Sequence, residues 1–200
     1  MEKQVEDIKV IREIMEKSTR FLSLSGLSGV VAGITAIAGA AFAWIFILSN
    51  PSGNGLDTFQ QLTVLLMDAL LVLSVSIGFG LFLSAKKARK NKQKLFNRLT
   101  LKTLYNLSIP LIAGGILSFL FLIRGEVEIV ASTTLIFYGL ALVNVSKYTF
   151  DEIQYLGITE VILGIGAAVF LHSGIIFWTL GFGLCHIVYG LIMYKKYDSK

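Results

Sequence analysis

Charge is scarce in this chain. Asp, Glu, Lys and Arg make up only 16% of its 200 residues, hydrophobic residues make up 54%, and the mean hydropathy is +0.73. A water-soluble domain of this size needs more charge than that to cover its surface. Residues 21–56 carry no charged side chain at all. Cysteine is reduced to one, Cys185, which excludes an intrachain disulfide and a thiolate metal cluster. It reads as a small packing residue inside an apolar run. There are two histidines, and no G-x-S-x-G, H-E-x-x-H, P-loop or G-x-G-x-x-G pattern. A nucleophile, a base and an orienting group are hard to assemble from such parts. The chain therefore reads as not an enzyme. No cofactor and no metal is expected, since catalytic zinc alone takes three protein ligands.

What is present is apolar helix. A bilayer span needs about 20 mostly apolar residues, and six runs qualify: 22–48, 60–85, 103–123, 128–146, 155–172 and 174–194. The expected fold class is all-α, a polytopic membrane protein of six transmembrane helices. The fourth run is rich in Ser and Thr. The last two are short and share a tight link at His172, Ser173 and Gly174. The first apolar run is too long for a signal-peptide core and is expected to stay in the mature protein. With the N-terminus in the cytoplasm, 17 of the 18 basic residues lie inside and only Arg124 lies outside. The positive-inside rule then predicts a multi-pass protein of the cell (inner) membrane with both termini cytoplasmic. Topology and anionic headgroups account for the net charge of +5, and no nucleic-acid partner is expected.

Residues 1–21 read as a separate cytoplasmic amphipathic helix, with Val5, Ile8, Ile11, Met15 and Leu22 on one face and favourable Glu13–Lys17 and Glu16–Arg20 pairs. It is expected either to lie on the inner leaflet or to dock a protein partner or a second protomer. The basic segment 86–102 should extend the second helix into the cytoplasm and then turn. Residues 195–200 read as a cytoplasmic tail. Three segments, "GLSGVVAGITAIAG", "NLSIPLIAGGILSF" and "LGITEVILGIGAAV", align Gly33 with Gly114 and Gly164. This suggests three hairpin repeats.

Gly29, Gly33, Ala36, Ala40 and Ala43 fall on one helical stripe. Such stripes let backbones approach closely, which in lipid replaces the missing hydrophobic drive between helices. Gly164, Gly183 and Gly190 extend the same pattern, as do Ser76, Gly80 and Ser84. Three ionisable residues fall inside spans, Glu160, His186 and Asp68, and each is a candidate polar or ion site because charge is costly at that depth. Glu160 shares a face with Gly157 and Gly164, and His186 with Gly183 and Gly190. At about 1.5 Å per residue their depths differ by about one turn, so a contact between them is expected. That contact is either a polar clip between helices or a proton relay or cation site. For Asp68, the hydroxyls of Ser118, Thr133, Thr134 and Thr179 stand at similar depth as candidate partners. Pro110 should kink the third helix and free the carbonyl of Asn106. Trp44, Trp178 and His172 are expected near the outer interface.

The segment "EIMEKSTRFLSLSGLSGVVAGITAIAGA" resembles the opening of a family of small bacterial integral membrane proteins, most strongly over residues 8–45. The resemblance implies a bacterial inner-membrane protein and brings no mechanism with it. The three-hairpin organisation is similar to that of small six-helix membrane proteins linked to acid resistance, without a motif that would carry a residue across. Two functions follow from the sequence. The first is a regulatory or scaffolding protein acting through its cytoplasmic face, by residues 1–21 and the 86–102 loop. The second is a small transporter or channel for protons or cations using Glu160, His186 and Asp68.

Overall fold

The computed structural model describes residues 24–49, 55–90 and 97–199. The helix expected over 1–21 lies outside the described residues, as does the middle of the basic segment. The described chain is helical without a strand: α1 (Gly26–Ala43, continued by a π-helical turn Trp44–Leu48), α2 (Thr58–Lys90), α3 (Arg98–Ile123), α4 (Val127–Ser146), α5 (Asp151–Val169) and a composite α6. α6 is α-helical over Gly174–Trp178 and His186–Met193 and π-helical over Thr179–Cys185 and Tyr194–Asp198. A 3-10 turn at Leu171–Ser173 makes the tight link to α5. Among the described residues six helices are long and apolar enough to cross a membrane, which fits a multi-pass membrane protein.

Several helix ends fall outside the apolar runs, where charge and capping fix them and hydropathy does not. α2 continues to Lys90 and ends on Lys87, Arg89 and Lys90, cations that suit the negative end of the helix dipole. α5 opens with Asp151 and Glu152, which suit the positive end. α3 starts at Asn97, whose side chain accepts from the Thr100 amide at 2.8 Å. The residues read as a tail from 195 are instead the last turn of α6 as far as Asp198.

The helices pack in the spatial order α2, α1, α6, α5, α4, α3. α2 and α3 are peripheral, with only 6% and 11% of their most apolar stretch buried. The interior is formed by α1, α4, α5 and α6, where Leu135, Ala141 and Ala167 are completely buried. Two seams hold these four together. Between α1 and α6, a Cβ on Gly190 would fall 2.7 Å from the Val30 amide nitrogen and 2.8 Å from the Gly26 carbonyl. A Cβ on Gly33 would fall 2.5 Å from the Gly183 carbonyl and one on Gly29 3.2 Å from Gly190 Cα, and Ala36 and Ala40 are buried on α1. Between α4 and α5, a Cβ on Gly157 would fall 2.7 Å from the Gly139 carbonyl, and one on Gly164 would fall 2.9 Å from the Ile136 nitrogen. On α2 the expected stripe does not make a seam at Gly80, which meets nothing within 4 Å.

Pro110 lies inside α3, which runs through it unbroken. The missing N–H leaves the Asn106 carbonyl without its helical donor, and Asn144 of α4 supplies one, its Nδ2 donating at 2.9 Å. Asn144→Leu should cost about 1 kcal/mol in thermal unfolding of the detergent-solubilised protein. In a Pro110→Ala background, where the backbone donor returns, most of that cost should vanish.

Candidate functional site

Glu160 has 0% of its surface exposed. It is carried by α5 between Gly157 and Gly164, the glycines that let α5 lie against α4. α6 brings His186, also buried, so that Nδ1 stands 3.3 Å from Glu160 Oε1. The same Nδ1 is 3.0 Å from the Gly181 carbonyl. A carbonyl only accepts, so this nitrogen carries a hydrogen in that bond. The other ring nitrogen, Nε2, is 2.8 Å from the Tyr138 hydroxyl of α4. Three helices thus contribute one functional group each. Neither Glu160 oxygen has a hydrogen-bond partner.

Local sequence sets this geometry. Gly181 lies within the wider turns Thr179–Cys185 of α6 and His186 follows them directly, and the imidazole reaches back to the carbonyl five residues earlier. Position 181 has no room for a side chain: a Cβ would fall 2.6 Å from Leu135 Cδ2 and press on Glu160 Oε2. Phe182 covers the imidazole with its ring centroid 5.8 Å away and tilted 21°, and it lies 4.9 Å from the Tyr138 ring and from the Trp178 ring. The site is a polar group of three in an aromatic and glycine-lined wall.

Glu160 and His186, the two residues singled out by depth and face, are therefore in contact. Asp68 is not with them. It sits partly buried at the α1–α2 contact, where a Cβ on Gly39 would be 3.4 Å from both carboxylate oxygens. The hydroxyls considered for it go elsewhere. Thr133, Thr134 and Thr179 donate to carbonyls of their own helices at 2.9, 2.9 and 2.7 Å, the usual competitor for a threonine in a helix. Ser118 Oγ is buried without a partner. His172 is exposed at the α5–α6 link, 3.8 Å from Glu128. Cys185 is a free, partly buried thiol. Among the described residues no three His, Cys, Asp or Glu side chains are grouped to hold a metal ion.

Sequence reasoning missed Tyr138 and the Gly181 carbonyl. The signal for Tyr138 was its place in "IFYGLAL", a tyrosine in mid-span rather than at the interface where tyrosines usually sit. It also missed a cluster at the end of the bundle that holds Asp198. Asp198 Oδ2 accepts from the Gly26 amide at 2.8 Å and the Ser25 hydroxyl at 3.0 Å, and Oδ1 pairs with Lys87 Nζ at 2.6 Å. The end of α6 thereby caps the start of α1 and ties in α2. Close by, Glu152 accepts from Lys196 at 2.6 Å and from the Tyr197 hydroxyl at 3.0 Å.

Comparison with protein-family models, with curated proteins and with solved structures finds no match to this chain.

Glu160→Gln and His186→Ala, made singly and together, should give thermal stabilities that are coupled by about 1 kcal/mol, because the two side chains touch. Strict additivity would contradict the contact.

Proposed function

We propose that this protein is a small, non-enzymatic transporter or channel that moves protons or cations across a bacterial inner membrane, with the Glu160–His186 pair as its binding step. The observation that carries this reading is the carboxyl of Glu160, completely buried with neither oxygen in a hydrogen bond, while the hydrogen on His186 Nδ1, a nitrogen 3.3 Å from Oε1, is engaged by the Gly181 carbonyl. A purely structural clip gains from satisfying its buried polar atoms, since each unsatisfied one costs free energy in a low dielectric. An intramembrane carboxyl left open next to an imidazole is the pattern of a group that exchanges its partner.

The reading includes cytoplasmic termini, with Lys87, Lys102, Lys147 and Lys196 on the cytoplasmic side, and a three-hairpin build. Gly33, Gly114 and Gly164, the aligned positions, each stand at a close helix contact, which supports that build. Residues 1–21 are taken to lie along the anionic inner leaflet. A regulatory role through the cytoplasmic face has less to support it. Lys87, Lys102 and Lys196 are engaged within the chain, by Asp198, the Tyr148 ring and Glu152. Asp68, remote from the pair, has no assigned part in the binding step.

The test is ion flux into liposomes holding the purified protein and a pH-sensitive dye, driven by an imposed membrane potential. Wild type should exceed empty liposomes, and Glu160→Gln should lower the flux about tenfold or more in protein that thermal unfolding shows to remain folded. Wild-type liposomes as tight as empty ones, across several cations and pH values, would remove the transport reading.

A further inference from the structure

We infer that the ion handled at this site is a proton, and that it passes along Tyr138, His186 and Glu160 as a relay. This rests on the reading of the site as ion-handling and names what it carries.

Two observations separate a proton from a metal or alkali cation. The first is the donor set. The donors placed around the imidazole are the two Glu160 oxygens, the Gly181 carbonyl and the Tyr138 hydroxyl, and the imidazole already engages the last two; among the described residues no three His, Cys, Asp or Glu side chains group to hold a metal ion. Hard cations such as Ca²⁺ and Mg²⁺ take about six or more oxygen ligands, and a protonated imidazole beside the carboxylate would repel any cation. The second is space. A Cβ added at Gly181 would run into both the Glu160 carboxyl and the Leu135 side chain, so little space is left on that side of the carboxyl. A proton needs no such room.

The hydrogen bonds give the order of transfer. His186 Nδ1 carries a hydrogen and stands between two acceptors, the Gly181 carbonyl at 3.0 Å and Glu160 Oε1 at 3.3 Å. Nε2 faces the Tyr138 hydroxyl at 2.8 Å. A proton arriving at the Tyr138 oxygen lets that hydroxyl pass its own hydrogen to Nε2. The imidazolium so formed gives its Nδ1 hydrogen to Glu160 Oε1. One proton has entered, one rests on Glu160, tyrosine is again neutral and the imidazole is left as its other tautomer. The reverse sequence empties the site. In a water-excluded wall a net charge is costly, so Glu160 and His186 act as one coupled unit holding one exchangeable proton. The titratable groups facing the pair are Tyr138 from α4 and Cys185 from α6. α1 presents Gly33 and Ile37 to this part of α6.

Tyr138→Phe keeps the ring while removing the hydroxyl, so a change in transfer rate at unchanged amplitude separates a relay residue from a packing residue. The experiment is time-resolved infrared spectroscopy of the purified full-length protein after a pH drop, following the protonated-carboxyl band. Wild type should show a band that Glu160→Gln lacks. Tyr138→Phe should reach the same amplitude about tenfold or more slowly, with thermal stability checked alongside. Glu160→Asp, which withdraws the carboxyl from Nδ1, should slow the same step and serves if Tyr138→Phe unfolds. A missing Glu160 band overturns the inference, as does a wild-type rate in Tyr138→Phe. So does thermal stabilisation by Na⁺, K⁺, Mg²⁺ or Zn²⁺ chloride in wild type but not in Glu160→Gln. Proton uptake without flux supports the inference while removing the transport reading. Glu160-dependent Na⁺ or K⁺ flux keeps transport and overturns the proton.

Discussion

Apolar helices gain no hydrophobic free energy by meeting in a bilayer, because lipid tails are as apolar as their own side chains, and close packing has to hold them together instead. In this protein that constraint is met by glycine. At the α1–α6 and α4–α5 seams backbone faces backbone, with Gly190 against Gly26 and Val30, and Gly157 against Gly139. Helices that lack such backbone-to-backbone seams stay outside, and α2 and α3 leave most of their apolar surface uncovered by the rest of the chain. The order of packing follows from where the small residues are.

The same seams place the polar chemistry. Glu160 stands between two seam glycines of α5, and His186 stands between Gly183 and Gly190 of α6, so close helix approach and the meeting of carboxyl and imidazole have one cause. Elsewhere polar groups in the bundle are matched to a specific deficit. The carbonyl that Pro110 strands is met by Asn144, and the open start of α1 is met by Asp198. The Ser118 hydroxyl and the Glu160 carboxyl depart from that pattern, and function is assigned to Glu160 because it is ionisable, leaves both oxygens outside any hydrogen bond and lies against the imidazole of His186.

The sequence made the six spans legible because hydropathy over about 20 residues is a strong local signal. It also made the seam residues legible, because glycine and alanine every three or four positions lie on one helix face. The Glu160–His186 contact could be anticipated from depth and face alone, since consecutive helices run antiparallel. Tyr138 could not, because nothing in its own segment says which ring nitrogen its hydroxyl will meet across three helices. Asp68 was grouped with the pair only by its chemistry, and α2 holds it against Gly39 of α1 instead. The extension of α2 into the basic segment as far as Lys90 follows the sequence reading, whereas the ends at Asp151 and Asp198 lie beyond the apolar runs because charged residues extend a helix where hydropathy has already fallen. The Asp198 cluster joins residues more than a hundred positions apart, a relation no local pattern carries.

The most direct test of the seam account compares one added methyl group at two glycines by thermal unfolding in the same detergent. Gly190→Ala places a Cβ 2.7 Å from the Val30 nitrogen, whereas Gly78→Ala meets nothing within 4 Å. The account predicts that Gly190→Ala destabilises by about 1–3 kcal/mol, while Gly78→Ala is neutral or stabilises by up to about 1 kcal/mol through helix propensity. Equal effects at the two positions, or a stable Gly190→Ala protein, would show that the backbones do not meet at this seam.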